Sequence, residues 1–139
     1  DREASMRTYN NLSISEAFHP LSHHANDPGK QDRLAVIQTY HTKVFARFID
    51  RLTKTPEGDG SLLDHSMVLY GSNMSDSNRH NNDPLPSVIL GHAHGRIKGG
   101  QHVNYSQDSK HSNLLLTLLE RTQIPVESIG DSDNTLSEV

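Results

Sequence analysis

The sequence predicts an α/β fold, a partial layered α/β/α sheet, and three observations carry that prediction. An amphipathic pattern runs unbroken over residues 28–54, two short apolar runs at 67–70 and 87–90 lack polar and apolar alternation, and a Leu-rich pattern over 110–122 follows them. Strands that are apolar on both faces need cover on both sides, so they are expected to be interior and parallel, with helices above and below. In such sheets chemistry gathers beyond the carboxyl ends of the strands.

Residues 1–18 show no helical period; Leu12 and Ile14 suggest at most a short extended piece. There is no initiator Met and no basic segment leading into an apolar one, so the chain is expected to be cut from a longer protein. Asp27 is a good N-cap and Pro28 suits the first helical position, where its missing N–H costs nothing. From there a helix to residue 54 places Leu34, Ile37, Val44, Phe45, Phe48 and Leu52 on one buried face, with Tyr40 and His41 alongside. At 1.5 Å per residue it would be roughly 40 Å long. The Pro- and Gly-containing stretch 55–60 ends it. Residues 66–71 and 87–91 are the two strands, separated by a polar stretch over 73–84, and 92–100 is a Gly-rich loop. A third, exposed strand is expected at 102–105. The last helix starts near Asp108 or Ser109, carries Leu114, Leu115, Leu118 and Leu119 inward and stops before Ile124-Pro125. The polar tail 130–139 should be loose. The whole is expected to be a single domain, 1–139, or the C-terminal fragment of a larger α/β domain.

The chain is 139 residues long, one domain's worth or less, and Leu, Ile, Val and Phe make up about 23% of it, enough for one lean core. A net charge of −4 argues against nucleic acid as a partner, because a phosphate-binding groove needs clustered Lys and Arg. No apolar run approaches the ~18 residues of a membrane span. Cys is absent, which excludes disulfides, thiolate metal sites and Cys nucleophiles. What remains conspicuous is 10 His against 7 aromatic residues. Imidazole is the common neutral metal ligand and titrates nearest physiological pH, so the excess points to metal or acid–base chemistry.

Three His fall within six residues, His19, His23 and His24, and the first two are four apart, a spacing that converges on one cation from a helical turn or tight loop. Nitrogen donors suit Zn²⁺ or another late first-row metal, not Mg²⁺ or Ca²⁺. Asp76 and His80 place a carboxylate and an imidazole four apart in the loop after the first strand, as further ligands, though Asp, Ser and Asn also cap turns. His92 and His94, two apart, would share a face on an extended segment and could chelate. Arg96 and Lys98 could hold an anionic group or simply be solvated. Ser22 beside His23 is not a hydrolase nucleophile, because no strand–turn–helix elbow is present. His41 and His65 read as structural.

The run FHPLSHH, then NDPGK, then DGSLLDHSMVLYGSNMSDSNRH through PLPSVILGHAHGRIKGGQHVNY to PVESIGDS closely resembles a bacterial family of unknown function named for its His-x-x-Ser-His-His motif (DUF1552). The resemblance covers nearly the whole chain and corresponds to the family's C-terminal third. It implies an exported protein, periplasmic or extracellular. That family is in turn distantly similar to the alkaline-phosphatase-like metallohydrolases, which implies a fold like their C-terminal part. Metal ligands would then fall at His19, His23, Asp76 and His80, and acid–base roles at His24 or His94. Where those enzymes carry an Asp-His pair after the strand, this chain reads Ser72-Asn73-Met74. Their nucleophile lies in a part outside this sequence.

Two functions stay open at this point. One is the metal-binding C-terminal portion of a metal-dependent hydrolase of phosphate or sulfate esters, with a divalent transition metal, Zn²⁺ favoured, and a small anionic ester as substrate. The other is a non-catalytic metal-binding or envelope-associated module. In either case the expected edges and helix face would be covered by a second copy of the chain or by the N-terminal region.

Overall fold

The computed structural model describes residues 5–105 and 108–139; residues 1–4 of the irregular opening segment lie outside the described residues. The fold is mixed α/β, with three α-helices and two small antiparallel sheets among the described residues. The chain divides into two compact units, one comprising the chain up to Asp50 together with Met74–Asn82, the other Arg51–Asn73 and Asp83–Val139. Where the length suggests one core, the described residues include a cluster of buried apolar side chains in each unit.

In the first unit, a 3₁₀ turn (Asn10–Leu12) is closed by backbone bonds between Tyr9 and Ile14 and leads to a short helix α1 (Phe18–Ser22). The long helix α2 (Pro28–Lys54) starts where Asp27 Oδ1 accepts the Lys30 N–H at 3.0 Å, satisfying one of the free amides of the first turn. Leu34 and Ile37 are buried, and Ile37 joins Tyr9, Ile14 and Leu21 in a cluster edged by Leu12, Phe18 and Tyr40. That cluster reaches only the N-terminal half of the helix. Val44 and Phe48, expected on the buried face, are 45% and 47% exposed. His41 packs its ring against Tyr9 and Phe18 and meets the Tyr9 hydroxyl at 2.7 Å. Burial, with the Arg7 charge adding to it, holds this imidazole below its ordinary range.

In the second unit, β1 (Pro56–Glu57) and β2 (Gly60–Ser61) form a minimal hairpin, and β3 (Val68–Gly71) pairs with β4 (Ser87–Leu90). This pairing corrects the expected parallel arrangement: it is antiparallel, with Val68 opposite Leu90 and Gly71 opposite Ser87. The physical reason is that a pair with no third strand is not a sheet interior, so a continuous apolar run need not mark a parallel strand buried on both sides. Leu69 and Val88, which the register puts on opposite faces, are 38% and 52% exposed. Ile89 packs with Met67 and Leu114 around a buried cluster of Ala93, Ile97 and Leu118. Residues 102–105 form no strand. Gln101 and Tyr105 are instead bonded to Glu138, so this segment is tied by individual contacts and not by a ladder.

Helix α3 (His111–Arg121) buries Leu116, Thr117 and Leu118, and Thr117 Oγ1 donates to the Asn113 carbonyl. The tail expected to be loose is docked on it. Asn113 Oδ1 accepts the Asp133 and Asn134 N–H groups, and its Nδ2 donates to Asp133 Oδ1 at 3.0 Å. Thr117 Oγ1 accepts from the Leu136 N–H at 2.8 Å, and Arg121 donates to the Val139 carbonyl. A polar tail thus orders because buried α3 side chains need partners. No helix among the described residues is long and apolar enough to cross a membrane. Asn113→Ala would leave the Asp133 amide without its acceptor and should destabilise the chain by about 1–3 kcal/mol. Urea unfolding measures this, and a midpoint equal to wild type would show that the Asn113 bonds to the tail contribute nothing.

Candidate functional site

The first unit gathers three of the predicted metal ligands. His19 lies within α1 and His23 is its C-cap, so one turn brings their rings to 4.8 Å between centroids, edge to face. The third ring, His80, comes from the 74–82 segment. Its centroid is 4.9 Å from that of His23, and the two Nε2 atoms are 3.4 Å apart across 57 residues of sequence. His80 holds a left-handed backbone, φ 54°, a region uncommon outside glycine in which Asn, Asp and His are the better tolerated side chains.

Asp76 builds the turn that makes this possible. Its Oδ1 accepts the Asn78 and Arg79 N–H groups at 3.0 and 3.3 Å, and reciprocal backbone bonds join Asp76 to Asn81. Its other oxygen stands 3.6 Å from Arg79 Nε. As placed, its work is in the turn. His24, expected as an acid or base, has Nδ1 accepting the Asn26 N–H at 3.1 Å with Gln31 Nε2 nearby, which leaves its ring proton on Nε2. Ser22 is buried and its hydroxyl donates to the His19 carbonyl at 2.8 Å, so it locks α1 and is no nucleophile. Among the described residues, no group of three or more His, Asp or Glu side chains is placed so that it could hold a metal ion.

The other predicted residue, His94, belongs to the second unit, and sequence reasoning missed its setting. Gly91 has φ 94°, and a Cβ there would lie 2.3 Å from the Ser66 carbonyl oxygen, so only glycine allows the 91–97 loop to approach the 63–66 turn. Ala93 and His94 N–H groups then bond to the Ser66 and Asp64 carbonyls, at 3.0 and 3.1 Å. Ala93 and His94 are both left-handed, φ 46° and 56°, which removes the extended geometry that would have paired His92 with His94. His94 instead stacks face to face on His65, centroids 4.2 Å apart and planes 8° from parallel. His65 has Nδ1 3.1 Å from Glu57 Oε2 and Nε2 3.2 Å from Asp59 Oδ1. His65 thus lies between two carboxyl groups, one at each ring nitrogen.

Beside this stack, a cavity of about 290 Å³ lies between Asp59, Asp64, His65, His92 and His94. The Ser61 hydroxyl and N–H both donate to Asp64 Oδ2, at 2.7 and 2.8 Å, and hold this carboxyl below the usual range, helped by His92 and His65. Comparison with known protein families, curated proteins and solved structures finds no match.

A depressed carboxyl contributes stability that is present above its unfolded value and lost as pH falls toward its folded one. Ser61→Ala should therefore raise the Asp64 midpoint in a side-chain NMR titration. It should also lower the melting temperature above the carboxylate range while leaving it nearly unchanged below. An unmoved Asp64 midpoint would contradict the assignment to Ser61.

Proposed function

We propose that this chain is a transition-metal-binding module, Zn²⁺ favoured, and that it supplies part of the site of a metal-dependent hydrolase of phosphate or sulfate esters, as the resemblance to the His-x-x-Ser-His-His family and to the alkaline-phosphatase-like enzymes implies. The single observation that carries metal binding is the 3.4 Å separation of the His23 and His80 Nε2 atoms. Two nitrogens at 2.0–2.1 Å from one tetrahedral zinc stand about 3.3–3.4 Å apart. The same separation is long for an imidazole–imidazole hydrogen bond, and the donors, all neutral nitrogens, match zinc's preference. His19, one helical turn before His23 with its ring centroid 4.8 Å away, is the further ligand this reading assigns.

When bound, such a cation polarises an ester oxygen and lowers the pKa of water. The chain's own residues orient the site. Ser22 fixes the carbonyl end of α1, Asp76 shapes the turn that carries His80, and His24 presents an Nε2–H as a hydrogen-bond donor to an anionic group. The non-catalytic alternative is favoured by one observation: Ser22, the hydroxyl beside the cluster, is 6% exposed and already bonded, so the cluster brings no nucleophile of its own.

Protein purified without a His tag and stripped with chelator should bind about one Zn²⁺ per chain. His23→Ala and His80→Gly should each weaken binding by more than about 100-fold, since even outer partners of a ligand are worth 10–100-fold. Glycine adopts the left-handed backbone at 80 without steric cost, so this variant removes the imidazole without adding backbone strain. Affinity should fall as pH drops through the imidazole range, because protons compete for the same nitrogens. Equal, near-zero metal in wild type and variants would remove the proposal.

A further inference from the structure

We propose that Ser77 and Asn78 are positioning residues: they dock the 74–82 segment onto the segment carrying His23 and so set how tightly a metal is held. This rests on the metal-binding proposal above, but its geometry does not depend on it. Ser77 Oγ donates to the Ser22 carbonyl at 2.9 Å, and Asn78 Oδ1 accepts the Ala25 N–H at 2.9 Å, across 55 and 53 residues of sequence. On one side the bonded groups bracket His23 and His24. On the other they come three and two residues before His80. Two bonds on either flank of His23 fix both the distance and the angle at which His80 meets it, which one bond would not.

The turn is built for this use. Asp76 takes the Asn78 and Arg79 N–H groups, and the backbone closure between Asp76 and Asn81 completes a small loop with His80 at its left-handed corner. Ala25 and Asn26 are also left-handed, φ 49° and 61°, so the receiving segment bends where it meets Asn78. Neither Ser77 nor Asn78 is a ligand. They act through His80, as outer partners orient ligands in metal sites generally. Coupling is reciprocal: if docking raises metal affinity, a bound metal strengthens docking by the same factor.

The test uses the full chain as wild type, as the double variant Ser77→Ala/Asn78→Ala, and as Ser77→Thr, which keeps the hydroxyl. Zn²⁺ affinity is read by chelator competition, Co²⁺ absorption reports ligand geometry at saturation, and tryptic cleavage after Arg79, whose side chain is 73% exposed, reports docking without metal. The double variant should bind Zn²⁺ about 10–100-fold more weakly, keep the wild-type Co²⁺ spectrum at saturation, and be cut faster. Ser77→Thr should behave as wild type. Zn²⁺ affinity and cleavage rate in the double variant equal to wild type would overturn the positioning role while leaving metal binding intact. Wild type that binds no Zn²⁺ would instead remove the metal-binding proposal, and docking then stands or falls on the cleavage rates alone.

Discussion

Two hydrogen bonds, from Ser77 to the Ser22 carbonyl and from the Ala25 amide to Asn78, decide where His80 stands. Everything proposed for the first unit follows from them, because His19 and His23 are neighbours by helix geometry alone, whereas His80 reaches them from more than fifty residues away. Local chemistry does the rest. Asp76 spends its carboxylate on the turn, Ser22 spends its hydroxyl on α1, and the residues left facing one another are imidazoles. A site of uncharged nitrogens in a chain without cysteine favours late transition metals over the alkaline-earth ions.

The second unit shows the same device in a different chemistry. Gly91 lets the loop after β4 approach the turn before β3, and backbone bonds from residues 93 and 94 then lay His94 flat on His65. Glu57 and Asp59 bond both nitrogens of His65, and Ser61 holds Asp64 as a carboxylate. Titratable groups are thereby gathered around one cavity by a hairpin too short to be stable alone. His94, assigned to acid–base chemistry from the resemblance, is in this setting a stacking partner.

How much of this the sequence discloses depends on how local each cause is. The start of α2 is readable because Asp27 and Pro28 are themselves the start signal, and its length because the apolar spacing continues to Leu52. Which part of that apolar face is covered is not readable: Val44 and Phe48 keep the spacing of core residues and remain exposed. The positions of β3 and β4 are legible from their apolar runs. Their antiparallel sense is not, since pairing direction is set by the partner and leaves no mark on a four-residue run. The docking of the tail is hidden for a related reason, because Asn113 and Thr117 look like ordinary polar positions until their buried side chains are seen to hold residues 133–136. In the candidate site, His19 with His23 is legible from spacing, and His80 from its spacing to Asp76 and from its order in the resemblance. Ser77 and Asn78 look like any turn residues, and nothing near them in sequence names their partners.

The central claim is that His23 and His80 share one metal ion. Anomalous diffraction at the zinc edge, from crystals of the full chain grown with Zn²⁺, tests it most directly. The account predicts a peak about 2.0–2.1 Å from both Nε2 atoms, with His19 turned toward it. A peak confined to the cavity beside His65 and His94, or no peak between His23 and His80, would contradict it.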